Sequence, residues 1–159
     1  MACERTEAGV LYSDDPARLD VDAAHAMLRT AYWCTDIPRE VMVRSFAHSI
    51  VVGAYDGAGV LLGVARAISD RATFAYLCDV FVGEPHRGRG IGTAMVKHLM
   101  AHPDLQGLRR WSLLTRDAHG VYAKLGFTHL SDPTRYMEIS RPGMYRRDGS
   151  ANLPHNLQP

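Results

Sequence analysis

After Asp14-Asp15-Pro16, apolar positions recur at spacings of three and four in Ala24, Met27, Leu28, Ala31 and Tyr32. This predicts one face of a helix whose first turn carries acids. Asp36-Ile37-Pro38 is a restart signal, an Asx cap ahead of an early-turn proline, and Val41, Ser45 and Phe46 continue it as a second short helix. The pattern then changes to β-rich runs, Ser49–Tyr55, Val60–Ile68 and Thr73–Val82, divided by Asp56-Gly57-Ala58-Gly59 and Ser69-Asp70-Arg71-Ala72. Those turn lengths predict two antiparallel hairpins. Beyond the glycine-rich residues 83 to 92, Ile91, Met95, Val96, Leu99 and Met100 form a helical stripe that Pro103 terminates. Trp111–Thr115 reads as a buried strand and Asp117–Leu125 as a short helix stopped at Gly126, with Phe127–Leu130 and Arg135–Ser140 as two further strands. With a short strand near Val10, the order is (β)ααβββαβαββ. Hairpins followed by alternating strands and helices predict a mixed sheet flanked by helices, an α/β (α+β) layer structure.

The 159 residues suit one domain, read as 1–140, with 141–159 as a C-terminal extension rich in Pro, Gly, Asn and Arg and without periodicity. A chain 47% hydrophobic and 22% charged is of ordinary globular composition, neither disordered nor fibrous. The formal net charge of +1 gives no electrostatic case for a nucleic-acid partner. Its distribution is uneven: residues 1–40 carry −4 and residues 85–130 carry +5. Cys3, Cys34 and Cys78 are odd in number and lack CxxC spacing, so the expectation is a reducing, cytoplasmic setting. No apolar stretch is long enough for a membrane span or a leader, and no membrane partner is expected.

Chemistry concentrates in Asp79-Val80-Phe81-Val82-Gly83-Glu84-Pro85-His86-Arg87-Gly88-Arg89-Gly90-Ile91-Gly92-Thr93. A strand feeds a loop with four glycines that opens directly into a helix. Glycine permits positive φ and close approach, so N–H groups converge at a helix start where the dipole favours negative charge. Gly83 and Gly88 have P-loop spacing, but Arg89-Gly90 stands where Lys-Ser/Thr is required. The dinucleotide fingerprint GxGxxG is absent too, and the preceding elements are hairpins where a βαβ unit is needed.

Arg87, Gly90 and Gly92 meet the Arg/Gln-x-x-Gly-x-Gly/Ala motif, and the stretch resembles the acetyl-CoA loop of the GCN5-related N-acetyltransferase (GNAT) superfamily. Ala118, Tyr122, Gly126 and Phe127 match the downstream signature of that superfamily, and the similarity in element order covers roughly residues 15 to 140. One departure is Thr115, seven residues before the tyrosine, where many relatives have Asn. The resemblance implies attack of a primary amine on the acetyl thioester of acetyl-CoA in a ternary complex. It also implies pantetheine contacts from Val80, Phe81 and Val82, pyrophosphate contacts from Arg87, Gly88, Arg89, Gly90, Ile91, Gly92 and Thr93, and a contact from Thr115. Tyr122 is implied as the general acid for the CoA thiolate, its phenol being neutral near pH 7.

For the base, Asp79, on the strand leading to the loop, Glu84, just after it, and His119, one helical face from Tyr122, stay open, each beside a merely structural reading. Because the first two helices border the acceptor side in that superfamily, Tyr32 and Trp33 are implied as its wall, with core packing the competing explanation. An acidic first segment suits a small cationic amine. Protein lysines, N-termini and a silent acyl-CoA-binding module are the alternatives, and a homodimer is left open. His98 and His102 have a metal-pair spacing without an accompanying Glu or third ligand, so no metal is expected, and the helix dipole accounts for histidines at a C-terminal end.

Overall fold

Tight turns between successive strands dictate the sheet. In the computed structural model, which describes residues 2–147, six strands lie side by side in chain order. They are β1 (Glu4–Glu7), β2 (Val10–Ser13), β3 (Ile50–Tyr55), β4 (Leu61–Ser69), β5 (Phe74–Val82) and β6 (Arg110–Leu113). All neighbours are antiparallel except β5 and β6, which run parallel because α3 (Ile91–Met100) lies between them in the chain. Asp70 nucleates the β4–β5 turn by accepting from the N–H groups of Ala72, Thr73 and Phe74 and from the Thr73 hydroxyl. Those bonds hold its carboxyl far below the usual range.

Alternate strand residues face two cores. Ile50, Val52, Ala54, Leu62, Ala65 and Ala67 pack against Ile91, Met95, Val96 and Leu99 of α3. On the opposite face, Tyr55, Leu61 and Val64 meet Ala24 and Leu28 of α1 (Val21–Leu28) and Met42 and Phe46 of α2 (Arg39–Ala47). Met95 and Leu99 are fully buried, so truncating either to Ala costs about 2–5 kcal/mol. Helices on both faces of a mixed sheet are the expected fold class.

Several boundaries differ from expectation for identifiable reasons. The first helix begins only at Val21, where the Asp20 carboxylate accepts from the Ala23 N–H, and it ends at Leu28, so Ala31 and Tyr32 sit in the following turns. Asp36 does not cap the second helix. It adopts left-handed φ of 62° and faces Arg29 at 3.6 Å, and the helix starts behind Pro38. β1 escapes the hydrophobic pattern because all its residues, Glu-Arg-Thr-Glu, are exposed. The strands expected at Phe127–Leu130 and Arg135–Ser140 are absent among the described residues. Pro133 lacks a donor, and Asp132 turns the chain by accepting from Thr134, leaving a 3-10 turn over Pro133–Arg135. Of the 141–159 extension, residues 141–147 form turns and the remainder lies outside the described residues.

Candidate cofactor and acceptor site

The parallel pairing of β5 and β6 stops at Leu77 and Leu113, although β5 continues to Val82. Beyond Leu77 the strand keeps β4 on one side and loses its partner on the other, opening a wedge lined by Cys78 to Val82. Within the wedge β5 bulges. Val64 pairs with Phe81 and Arg66 with Cys78, so one extra residue is absorbed on β5, and Asp79 takes φ of +52°. A non-glycine residue in the left-handed region costs energy unless other contacts hold it.

Those contacts are present. Arg66 Nε donates to Asp79 Oδ2 at 2.8 Å, and Trp33 Nε1 donates to Asp79 Oδ1 at 3.0 Å. A further Arg66 nitrogen donates to Ser49 Oγ at 3.1 Å. The Arg66–Asp79 pair is largely shielded, with side-chain exposures of 14% and 12%, so removing one partner strands the other charge. Trp33 also meets Tyr32 edge-on at 5.0 Å and Phe81 at 6.4 Å, and both Tyr32 and Trp33 are more than two-fifths exposed. The Arg116 guanidinium lies over the Tyr32 ring at 3.9 Å. Neither Arg66 nor Arg116 belongs to a motif in the sequence. A lone arginine inside the apolar run Leu-Leu-Gly-Val-Ala-Arg-Ala-Ile was the available signal for Arg66, and Arg116 offered none.

At the tip of the wedge, Gly88 and Gly90 have φ of +75° and +77°, and Gly90 is the left-handed cap of α3. No side chain caps this end, so the first-turn N–H groups of Ile91, Gly92 and Thr93 point out of the helix. Arg87 Nε donates to the Val82 carbonyl at 3.0 Å and its guanidinium covers Phe81 at 5.4 Å, while Arg89 reaches His86 at 3.5 Å. Both arginines and Glu84 are exposed. The two glycines differ. A Cβ on Gly90 would meet no atom, so its backbone conformation is what demands glycine, whereas a Cβ on Gly92 would make ordinary contact with Val82 and Val80.

Tyr122 sits on α4 (His119–Ala123), half-buried, with its ring edge-on to Phe127 at 6.0 Å. Burial pushes its hydroxyl above the ordinary tyrosine value, and the neighbouring Tyr32 adds to the shift. Thr115 Oγ accepts from Ala118 N–H at 3.0 Å, which uses this hydroxyl to start α4 and leaves its own proton available. His119 is exposed and stacks on His129 at 5.4 Å. With Thr115 and Tyr122 it borders a cavity of about 600 Å³.

A model of the family described as the Acetyltransferase (GNAT) family matches residues 12–127, most of the chain. The chain belongs to the GNAT acetyltransferase family. A Gibberella zeae protein provisionally named an acetyltransferase is 34% identical over 141 residues, covering 75% of this chain and 78% of that protein. A solved GNAT structure from Xanthomonas campestris, also provisionally named an acetyltransferase, is 46% identical, with a TM-score of 0.84 over 89% of this chain and 99% of that one. N-acetylglutamate synthase from Neisseria gonorrhoeae, solved with coenzyme A and N-acetylglutamate, shares the fold at a TM-score of 0.62 and 17% identity, over 76% of this chain and 28% of that one.

In this acetyltransferase the His98–His102 pair belongs to another feature. Cys3, Asp14 and His102 offer metal-type atoms within 4.8 Å of one another. However, His102 Nδ1 accepts from the Asp104 N–H at 3.1 Å, which places the ring proton on Nε2, facing Asp14 at 2.9 Å. The nitrogen aimed at the cluster therefore carries a proton and offers no lone pair to a metal. Asp14 also accepts from the Cys3 N–H at 2.6 Å, so the three residues clasp the N-terminal segment. Among the described residues, no helix is long and apolar enough to cross a membrane.

Proposed function

We propose that the protein transfers acetyl from acetyl-CoA to the primary amine of a small molecule by direct attack in a ternary complex. The observation that carries this reading is the β5 wedge ending in two left-handed glycines at the uncapped start of α3. The unpaired edge from Cys78 to Val82 receives the pantetheine arm. The N–H groups from Gly88 to Thr93, with Arg87 and Arg89, receive the pyrophosphate. Acetyl-CoA supplies an activated thioester.

The remaining work falls to side chains at the wedge mouth. Tyr122, kept protonated by burial, gives its proton to the departing thiolate. The attacking amine must lose a proton before or during attack. Asp79 has both oxygens engaged by Arg66 and Trp33, so its main effect is to position the Trp33 wall. His119, exposed and three residues from Tyr122, takes the proton through water. Tyr32 and Trp33 cover the apolar or cationic part of the acceptor.

The deciding experiment measures thiol release from acetyl-CoA across a panel of small amines and lysine or N-terminal peptides. Turnover with small amines and none with peptides is expected. Turnover only with peptides moves the acceptor class to protein, and CoA binding without any turnover makes the chain a silent binder.

A further inference from the structure

A second cavity, of about 800 Å³, lies toward the opposite end of the sheet, between the β2–β3 face, α2 and the chain from Asp15 to Val21. Its floor originates in the sequence. Ser13 and Gly53 are register partners, two small residues where the next pair on that face is Leu11 and Tyr55. The Tyr55 ring folds back over Gly53, so closely that a Cβ there would run into its hydroxyl. Tyr55 is 2% exposed, and its Oη is buried without a hydrogen-bond partner among the described residues. A lone buried hydroxyl at the base of a cavity is an unmet hydrogen-bonding demand.

The surrounding charge has a sign. Glu4, Asp15 and Asp20 act on the Tyr55 hydroxyl against the single cation Arg18. Arg18 is paired with Glu4 at 3.0 Å, and Asp20 caps α1. The Asp15 carboxylate accepts from the Ala17 N–H at 2.9 Å and has no ion-pair partner among the described residues. The walls are apolar, from Leu19, Val43 and Phe46.

We propose that this cavity is a second ligand site for a small apolar ammonium, its body against Leu19, Val43 and Phe46 and its N–H groups between Tyr55 Oη and the Asp15 carboxylate. A phenol oxygen accepts from an ammonium, and the carboxylate supplies the charge. Asp14 and Asp15 in the lining disfavour an anion, and Arg71, the arginine of the lining, is already paired with Asp104 at 2.8 Å. Burial pushes the Tyr55 hydroxyl up to about 12, so it stays neutral and the attraction comes from Asp15. The site stands on β2 and β3, apart from the wedge on β5, and does not depend on acetyl transfer.

The test titrates phenethylammonium, a primary ammonium with three N–H donors, into the full chain without acetyl-CoA, following amide chemical shifts and heat. Saturable binding is expected, with shifts at Phe46, Val51 and Gly53. Tyr55→Phe and Asp15→Asn each weaken it about fivefold, and neutral 2-phenylethanol binds about tenfold more weakly. Tyr55→Phe removes only an unpartnered hydroxyl and keeps the fold. The proposal is overturned by a lack of saturable binding, by shifts confined to Tyr32 and Trp33, by wild-type affinity in both variants, or by equal affinity for the alcohol. Because turnover is not read, failure here leaves the acetyl-transfer reading untouched, and the reverse also holds.

Discussion

The two sides of the wedge are built by different means. On the cofactor side, the backbone does the work: β5 loses its partner, Gly88 and Gly90 turn left-handed, and α3 begins uncapped. On the acceptor side, side chains distant in sequence do it, with Trp33 tied to Asp79, Asp79 to Arg66, Arg66 to Ser49, and Arg116 laid over Tyr32. The left-handed backbone at Gly88 and Gly90 demands glycine at those two positions. A wall of side chains changes with one or two substitutions, and in the proposed function it is the part that selects the acceptor.

Tyr122 stands where the two sides meet, and its removal breaks the arrangement most. Tyr122→Phe is expected to lower kcat by about tenfold to a thousandfold with a smaller change in acetyl-CoA affinity, measured by steady-state kinetics beside calorimetry. The pH profile sharpens this. Burial raises the Tyr122 pKa, so in the wild type the rate climbs as the amine loses its proton and falls only above pH about 10. The same shift leaves stability unaffected below that pH and lowers it above, because the unfolded chain ionises first.

Gly90→Val tests the backbone side alone. With φ of +77° and no atom near the added Cβ, the strain is conformational, and the loop rather than the core must yield. Acetyl-CoA binding is expected to weaken at least about tenfold, read by calorimetry, with the melting transition shifted by only a few degrees. Gly92→Ala is the contrast: at ordinary contact with Val80 and Val82, it leaves the fold unstrained. Any loss of affinity in that variant reports room needed by the ligand itself.

This asymmetry explains how much was legible in the sequence. The glycine loop, the three central strands and the α3 stripe were readable because each is a local pattern, a turn or a period. The Asp79 bulge was not, since its left-handed φ is enforced by Arg66 from the neighbouring strand and Trp33 from the first helical layer. Nor was the coil after Gly126, where the period-two pattern at 135–140 competes with Pro133 and the Asp132 turn, and the turn wins. Tyr32 and Trp33 were legible as an aromatic pair, and the attachment of Trp33 to Asp79 was not, because a separation of 46 positions hides it.

The smallest expected effect separates the two things Trp33 does. Its ring packs edge-on against Tyr32 and Phe81, where the proposed function puts the acceptor, while its Nε1–H holds Asp79. Trp33→Ala removes both and is expected to raise KM for the amine about five- to tenfold, with KM for acetyl-CoA nearly unchanged. Trp33→Phe keeps most of the ring and loses only the donor, for about a two- to threefold rise, since a half-exposed hydrogen bond to a carboxylate is partly replaced by water. If the Phe variant loses as much as the Ala variant, the tether to Asp79 matters more than the wall. If both leave the amine KM unchanged and shift only the melting transition, Trp33 is packing and the acceptor lies elsewhere. A wall that acts through its ring has to show the graded loss, because Phe still offers the apolar face on which the acceptor rests.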